Sequence, residues 1–228
     1  MYRFIFAILI ALSVMHHGTT SAALTSASSS TFGDGSLTID TEQGLYWLTP
    51  NATIGLSYYD VQNLLMTDIR FSGFRVASLS ELESLYAHAK IPDINVPGIH
   101  SFYGTSENVA GVEFLQSLVG TTNAVHVGGE ILIETAGFVG DSFISPINGF
   151  QSVYIGNLVL HSNVATRSGF EDFASAFTTW GSSGVHSSTA GVGTWLVSSV
   201  PEPSVWAAML LGILIIGVAR LRTKWNSI

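Results

Sequence analysis

The central part of this chain contains five histidines, whose imidazole side chain is well suited to proton transfer and metal binding. They are His88, His100, His126, His161 and His186. Their spacing gives neither His-x-x-x-His nor His-Glu-x-x-His, the patterns that place two metal ligands on one helical face. Histidines scattered in this way are typical of polar surface positions, although distant residues can converge in three dimensions. We therefore predict no metal ligand and no cofactor.

Acidic side chains are the second group of candidates. Glu81 and Glu83 are two positions apart, so on a helix they would not share a face and would make a poor acid/base pair. Four acids in loops could instead offer oxygen ligands to Ca²⁺: Asp34, Asp141, Glu171 and Asp172. No EF-hand pattern or calcium-binding repeat accompanies them, so solvated turns are the favoured interpretation.

The many serines include no recognisable nucleophile. A Gly-x-Ser-x-Gly elbow is absent from the sequence, and Gly181-Ser-Ser-Gly184 is one residue too short and typical of a turn. No Gly-rich phosphate-binding pattern is present either. We predict no catalytic residue and a protein that is not an enzyme. The alternative is an exported hydrolase acting on polysaccharide or peptide, with a site assembled from separated residues.

Charge limits the partners of the central part of the chain. Residues 24–200 contain 4 basic and 15 acidic side chains, which gives a net charge near −11. Nucleic acid and anionic lipid both need a basic face, so neither is a predicted partner. An acidic surface is compatible with neutral sugars or cations, and solubility is its plainest explanation. The sequence has no cysteine, which excludes disulfides and thiolate metal sites.

The first half of the chain carries two capping boxes, Ser57 to Asp60 and Ser78 to Glu81, each followed by apolar residues at helical spacing. They predict helices that begin at these serines. A third helix is predicted over residues 109–119, with Gly120 after its end. Strands are predicted at residues 37–39, at residues 44–49 and within residues 71–77.

The second half changes to short apolar segments between Gly, Ser and Asn clusters, which predicts short antiparallel strands. A Ser/Gly-rich loop is predicted over residues 177–193, before a last strand at 193–198. The predicted fold is a single exported α+β domain over residues 36–198, with two or three helices and a short-stranded antiparallel sheet; a β-sandwich with helical insertions is the alternative. Aromatic residues near the loop could stack on sugars, but core packing is favoured: Phe170, Phe173, Phe177 and Trp180.

Both ends of the chain carry signals directed to a membrane. Arg3 precedes an apolar stretch of signal-peptide length, and Ser21 and Ala23 supply small residues for cleavage after Ala23. Residues 1–23 are therefore a predicted signal peptide, and the Ser/Thr-rich residues 24–35 a predicted flexible spacer. At the other end, a Pro-Glu-Pro triplet precedes an uncharged apolar stretch, which predicts a transmembrane helix over 204–221. The basic residues after it place the C-terminus in the cytoplasm.

This C-terminal segment, residues 200–228, resembles the sorting signal of PEP-CTERM proteins of Gram-negative, exopolysaccharide-making bacteria. The triplet, the single hydrophobic helix and the basic cluster follow one another in the family's order, although Leu221 and Thr223 interrupt the cluster. The matching residues are Val200, Pro201, Glu202, Pro203, Arg220, Arg222 and Lys224.

The resemblance implies an order of export, anchoring and processing for the whole protein. The secretion machinery would export it, the C-terminal helix would hold it in the inner membrane, and exosortase would then process it. The product would belong to the cell envelope or the extracellular matrix, with exopolysaccharide or another surface glycan as a partner. The alternative is a plain membrane anchor that no sortase processes.

The central domain more distantly resembles the C-type-lectin-like fold of some exported bacterial proteins. A first strand, two helices, loops, short strands and a closing strand follow in that order. In that fold the first and last strands pair, which would bring Trp47 and Trp195 together. The sequence has neither a Glu-Pro-Asn nor a Trp-Asn-Asp triplet, so the resemblance implies no calcium-dependent sugar binding.

Overall fold

The computed structural model describes residues 23–92, 94–95, 104–127, 129–144, 151–165, 169–180, 185–186 and 188–200. The chain divides into two units, Met1–Ser198 and Ser199–Ile228. Residues 1–22 of the predicted signal peptide, with Ser21, and the sorting segment from Pro201 with its predicted helix over 204–221, lie outside the described residues. Within the described ranges, no helix is long and apolar enough to cross a membrane.

The described part of the first unit is of mixed α+β class, as predicted, and has three helices and two mainly antiparallel sheets. The helices are α1 (Tyr58–Thr67), α2 (Leu79–His88) and α3 (Val109–Val119). The strands are β1 (Leu24–Ser29), β2 (Gly33–Asp40), β3 (Leu45–Leu48), β4 (Arg75–Val76), β5 (Ile94–Asn95), β6 (Asn123–Val127), β7 (Glu130–Ile144), β8 (Gln151–Ala165), β9 (Phe170–Trp180), β10 (Val192–Thr194) and β11 (Leu196–Ser199).

Two of the helices begin at the predicted capping boxes. The Ser57 hydroxyl accepts a hydrogen bond from the Asp60 N–H, and the Asp60 carboxylate accepts one from the Ser57 N–H, both at 3.1 Å. Ser78 and Glu81 repeat this exchange at the start of α2, at 3.3 and 2.8 Å. Helix α3 ends before Gly120, as predicted. The side chains of the two capping boxes satisfy backbone N–H groups that have no partner inside the helix.

Acid is expected to weaken the start of α2. The Arg75 guanidinium lies 2.5 and 2.8 Å from the Glu81 carboxylate, and with the Ser78 hydrogen bonds it lowers the pKa of Glu81 from 4.5 to about 2. Because folding lowers this pKa, the stabilisation is complete above pH 4.5 and is lost as the pH falls towards 2.

Urea unfolding over this pH range of the parent chain and the Glu81→Gln variant measures the effect. The difference between their free energies of unfolding should shrink as the pH falls. Glu83→Gln changes a carboxylate on the same helix and serves as the control. A Glu81→Gln difference that does not change with pH would contradict the prediction.

The Ser/Thr-rich segment that we predicted to be a flexible spacer instead forms an edge strand. In the first sheet, with order β1-β2-β3-β11-β4, β1 pairs antiparallel with β2. Leu24 is 2% exposed and belongs to the main hydrophobic core. The carbonyl of Ala23 accepts a hydrogen bond of 2.9 Å from the Thr41 N–H. Backbone pairing and one buried leucine therefore stabilise a strand in a segment whose polar composition predicts a flexible spacer.

The second sheet has long strands where short ones were predicted. Its order is β10-β7-β8-β9-β5, with β6 also paired to β7, and β7 and β8 have 15 residues each. Glycines that suggested turns lie inside the strands, where Gly137 and Gly156 face each other in the register. A Cβ atom at Gly137 would lie 2.8 Å from Trp195 Cδ1, so glycine makes room for this indole. Strand β9 likewise replaces the start of the predicted loop and contains the aromatic residues assigned to it.

The two sheets meet at a pair of buried tryptophans. Strand β3 lies beside β11, which confirms the predicted pairing of residues 44–49 with the segment 193–198, although β1 and β2 precede β3 in the chain. The rings of Trp47 and Trp195 lie edge to face with centroids 6.1 Å apart, and both residues are fully buried. The predicted last strand is divided in two, because β10 pairs with β7 in the second sheet and β11 belongs to the first. Trp195 is the residue between them.

Candidate functional site

A groove of about 400 Å³ opens on the first unit where separate parts of the chain meet. It is bordered by the turn after β1, a 3₁₀ turn over Pro50–Thr53, helix α1 and a 3₁₀ turn over Ile69–Phe71. Its volume lies in the range of about 300–1,000 Å³ that is usual for small-ligand pockets. The lining residues are Phe32, Thr49, Asn51, Ala52, Leu56, Leu64, Arg70 and Phe71.

One side of the groove is aromatic. The Phe32 and Phe71 rings lie 5.1 Å apart at 59°, and the Phe74 ring meets Phe32 edge to face at 6.0 Å. Phe71 is buried at 3% exposure, whereas Phe32 is only half-buried. The buried ring therefore supports Phe32, which presents apolar surface to the groove.

The polar part of the lining includes Asn51. The Thr49 hydroxyl donates a hydrogen bond of 2.6 Å to the Val119 carbonyl and so fixes the start of the turn that carries Asn51. The side-chain amide of Asn51 has no hydrogen bond to any residue of the described ranges, and Asn51 is exposed. Gly120, at φ +78°, lies behind it, and a Cβ atom there would come within 3.1 Å of Asn51 Nδ2. The donors and the acceptor of this exposed amide are therefore open to a ligand, and Gly120 leaves the space that the amide occupies.

Arg70 adds a cation whose charge is already paired. Its Nε and Nη2 atoms donate to the Asp68 carboxylate at 2.9 and 2.6 Å. The pair raises the pKa of Arg70 and lowers that of Asp68, so both groups stay ionised and largely cancel. The guanidinium carbon lies 5.9 Å from the centroid of the Phe71 ring. Nη1 takes no part in the pair and keeps its two N–H groups for a ligand.

A second polar cluster surrounds His88 at the end of α2. His88 Nδ1 lies 2.8 Å from the fully buried Asp40 carboxylate, and its Nε2 lies 3.2 Å from Glu42. The other oxygen of Asp40 accepts from the backbone N–H groups of Glu42 and Gln43, both at 3.0 Å. A buried carboxylate against an imidazole can orient a general base. Here the second ring nitrogen, Nε2, faces the Glu42 carboxylate rather than a hydroxyl group that it could deprotonate. The contact between His88 and Asp40 joins α2 to β2.

The structure corrects the assignment of all histidines to polar surface. His88 is partly buried in the cluster above, and His161 is 4% exposed with Nδ1 2.7 Å from Glu130. His126 and His186 are exposed, and His100 lies outside the described residues. No group of three or more potential ligands is placed to hold a metal ion within the described ranges.

The four acids considered as calcium ligands were predicted to lie in loops, but the structure places all of them in strands, where two accept hydrogen bonds from backbone N–H groups. Asp141 accepts a hydrogen bond from the Leu79 N–H at the start of α2, and Asp172 accepts one of 2.8 Å from the Asn163 N–H. Asp34 is an exposed residue of β2. Asp141 therefore joins β7 to the start of α2, and Asp172 joins β9 to β8.

The residues of the groove were missed in the sequence because they come from segments far apart in the chain. Phe32 follows a serine-rich stretch, and Asn51 lies in a turn after Pro50. The one local signal is the dipeptide Arg70-Phe71, which places a cation beside an aromatic ring. The prediction of no catalytic residue stays a prediction.

Over the described residues, the fold and the groove define a class, namely an α+β domain of two sheets and three helices that presents a small open site of mixed polarity. Neither a protein-family model, nor a curated protein, nor a solved structure matches this chain.

Proposed function

We propose that this is an exported surface protein of the PEP-CTERM type, processed by exosortase, with a central domain that binds and does not catalyse. The carrying observation is the order of features at the C-terminus, where the Pro-Glu-Pro triplet precedes an apolar stretch and a basic cluster. The apolar stretch would hold the newly exported chain in the inner membrane. The basic cluster would keep the last residues in the cytoplasm, so that everything before Pro201 lies outside.

The central domain acts in this proposal as a binding module of the envelope or extracellular matrix. The groove supports this role, because it combines half-buried aromatic surface with an Asn51 amide that makes no hydrogen bond to the described residues. Exopolysaccharide or another surface glycan is the proposed partner. A C-type-lectin-like arrangement is the proposed fold family, and the pairing of β3 with β11 supports it.

A double substitution in the triplet tests sorting. The Pro201→Ala/Glu202→Ala variant is expected to stay in the inner-membrane fraction with its C-terminus intact, whereas the parent chain reaches the surface without its tail. Cell fractionation of an exosortase-positive host, with mass analysis of the C-terminal peptide, measures both quantities. Asn226→Ala, beyond the basic cluster, is the control and should be sorted normally.

The same experiment separates sorting from simple anchoring. A parent chain that keeps its sequence through Ile228 and remains in the membrane would show a plain anchor. Equal release of the parent chain and the double variant would show that the triplet is not recognised. Either outcome contradicts sorting by exosortase.

A further inference from the structure

We infer that the groove binds a neutral sugar residue, with Phe32 against an apolar face of the ring and with Asn51 and Arg70 hydrogen-bonded to neighbouring hydroxyl groups. This inference rests on the proposed role as a binding module and assigns its site and its class of ligand. The three side chains line one cavity.

The distribution of polarity in the groove fits a sugar ring. A pyranose has hydroxyl groups around its edge and C–H groups on its faces, so it needs apolar and polar surface side by side. Phe32 supplies the apolar surface, and its contacts with Phe71 and Phe74 hold it without closing it off, because it remains half-buried. A purely apolar ligand would shield the polar groups of the groove from water without replacing their hydrogen bonds, which costs free energy.

The free hydrogen-bonding groups fit hydroxyls better than other partners. The Asn51 amide has both donors and an acceptor, and a hydroxyl group likewise donates and accepts. The two N–H groups on Nη1 of Arg70 add donors at the same groove. An ionised carboxylate group can only accept hydrogen bonds, so at Asn51 it would leave the amide carbonyl without a donor.

Charge favours a neutral sugar over an acidic one. The Asp68 carboxylate already neutralises Arg70 through two of its nitrogens. The surrounding chain carries a net charge near −11 over residues 24–200, which repels polyanions at low ionic strength. A uronic acid would therefore meet a groove without net positive charge inside an acidic domain.

Calorimetric titration of the full-length protein, purified in detergent, tests the inference. The probes are oligosaccharides from the neutral and the acidic fractions of the producing cells' own exopolysaccharide. The neutral fraction is expected to bind, and Phe32→Leu and Asn51→Ala are each expected to weaken that binding roughly tenfold. Leucine keeps the packing against Phe71 and removes the flat aromatic face, so a loss with this variant is not a loss of folding.

Matched controls change the same residue types elsewhere. Asn63→Ala and Phe114→Leu alter exposed residues on α1 and α3 and should leave affinity unchanged. Asp68→Asn leaves Arg70 unpaired, so binding of the acidic fraction should rise. Circular dichroism at the titration temperature checks that every variant is folded.

Three results would overturn the inference: binding of the acidic fraction alone, binding of neither fraction, or neutral binding that is unchanged in Phe32→Leu and Asn51→Ala. The third result would remove the groove as the site and leave the binding role standing. The fate of the Pro201→Ala/Glu202→Ala variant is measured separately, so sorting can fail while sugar binding holds, and the reverse.

Discussion

Trp195→Ala is expected to lower the free energy of unfolding by about 3–5 kcal/mol, the usual cost of removing a buried aromatic ring. Trp195 is fully buried between the two sheets, with ring centroids 6.1 Å from Trp47 and 6.5 Å from Tyr86. Its indole N–H donates a hydrogen bond of 3.1 Å to the Gly156 carbonyl. The substitution therefore leaves a cavity and removes a buried hydrogen bond together. Urea unfolding followed by circular dichroism measures the loss.

A pair of phenylalanine variants separates the two contributions. Trp195→Phe keeps a ring but loses the bond to Gly156, whereas the indole N–H of Trp47 has no hydrogen-bond partner among the described residues. Trp195→Phe should therefore cost about 1 kcal/mol more than Trp47→Phe. A loss below about 1 kcal/mol for Trp195→Ala would show that this residue does not join the sheets.

The helices and the central strand pairing could be predicted from the sequence because their signals are local or strongly apolar. Ser57 and Ser78 each precede an acid by three positions, and the structure shows both reciprocal hydrogen-bonded caps. The two segments that contain Trp47 and Trp195 carry enough apolar surface to be buried wherever they meet. Their pairing followed from a family resemblance, and the structure confirms it.

The long strands could not be predicted, because the glycines inside them are required by contacts with a residue far away in the sequence. Gly137 and Gly156 lie in strand interiors, where glycine is ordinarily unfavourable, and both contact Trp195. Such a requirement is invisible until the sheet and the indole are together. The groove has the same limitation, since Phe32, Asn51 and Arg70 become neighbours only after the turn between β1 and β2 and the two 3₁₀ turns have packed together.

Gly193→Ala is expected to destabilise the chain by about 3 kcal/mol, near the upper end for overpacking. A Cβ atom at this position would lie 2.0 Å from the Pro50 carbonyl oxygen and 2.7 Å from its carbon. Both are backbone atoms, so no side-chain rotation can relieve the clash, and the 3₁₀ turn over Pro50–Thr53 must move. The Thr53 hydroxyl, which accepts a hydrogen bond of 2.8 Å from the Thr194 N–H, moves with it.

That movement links stability to the groove, because the displaced turn carries Asn51. Gly193→Ala should therefore also weaken binding of the neutral oligosaccharides, although Gly193 itself does not line the groove. Gly55→Ala is the matched control: it has φ +80° with open space around it, so it should cost about 1–2 kcal/mol from backbone strain alone and leave the turn in place. Thermal and urea unfolding, together with the same titration, compare the two variants. If Gly193→Ala were no more destabilising than Gly55→Ala, β10 would not be packed against the turn, and the site would not depend on the junction of the two sheets.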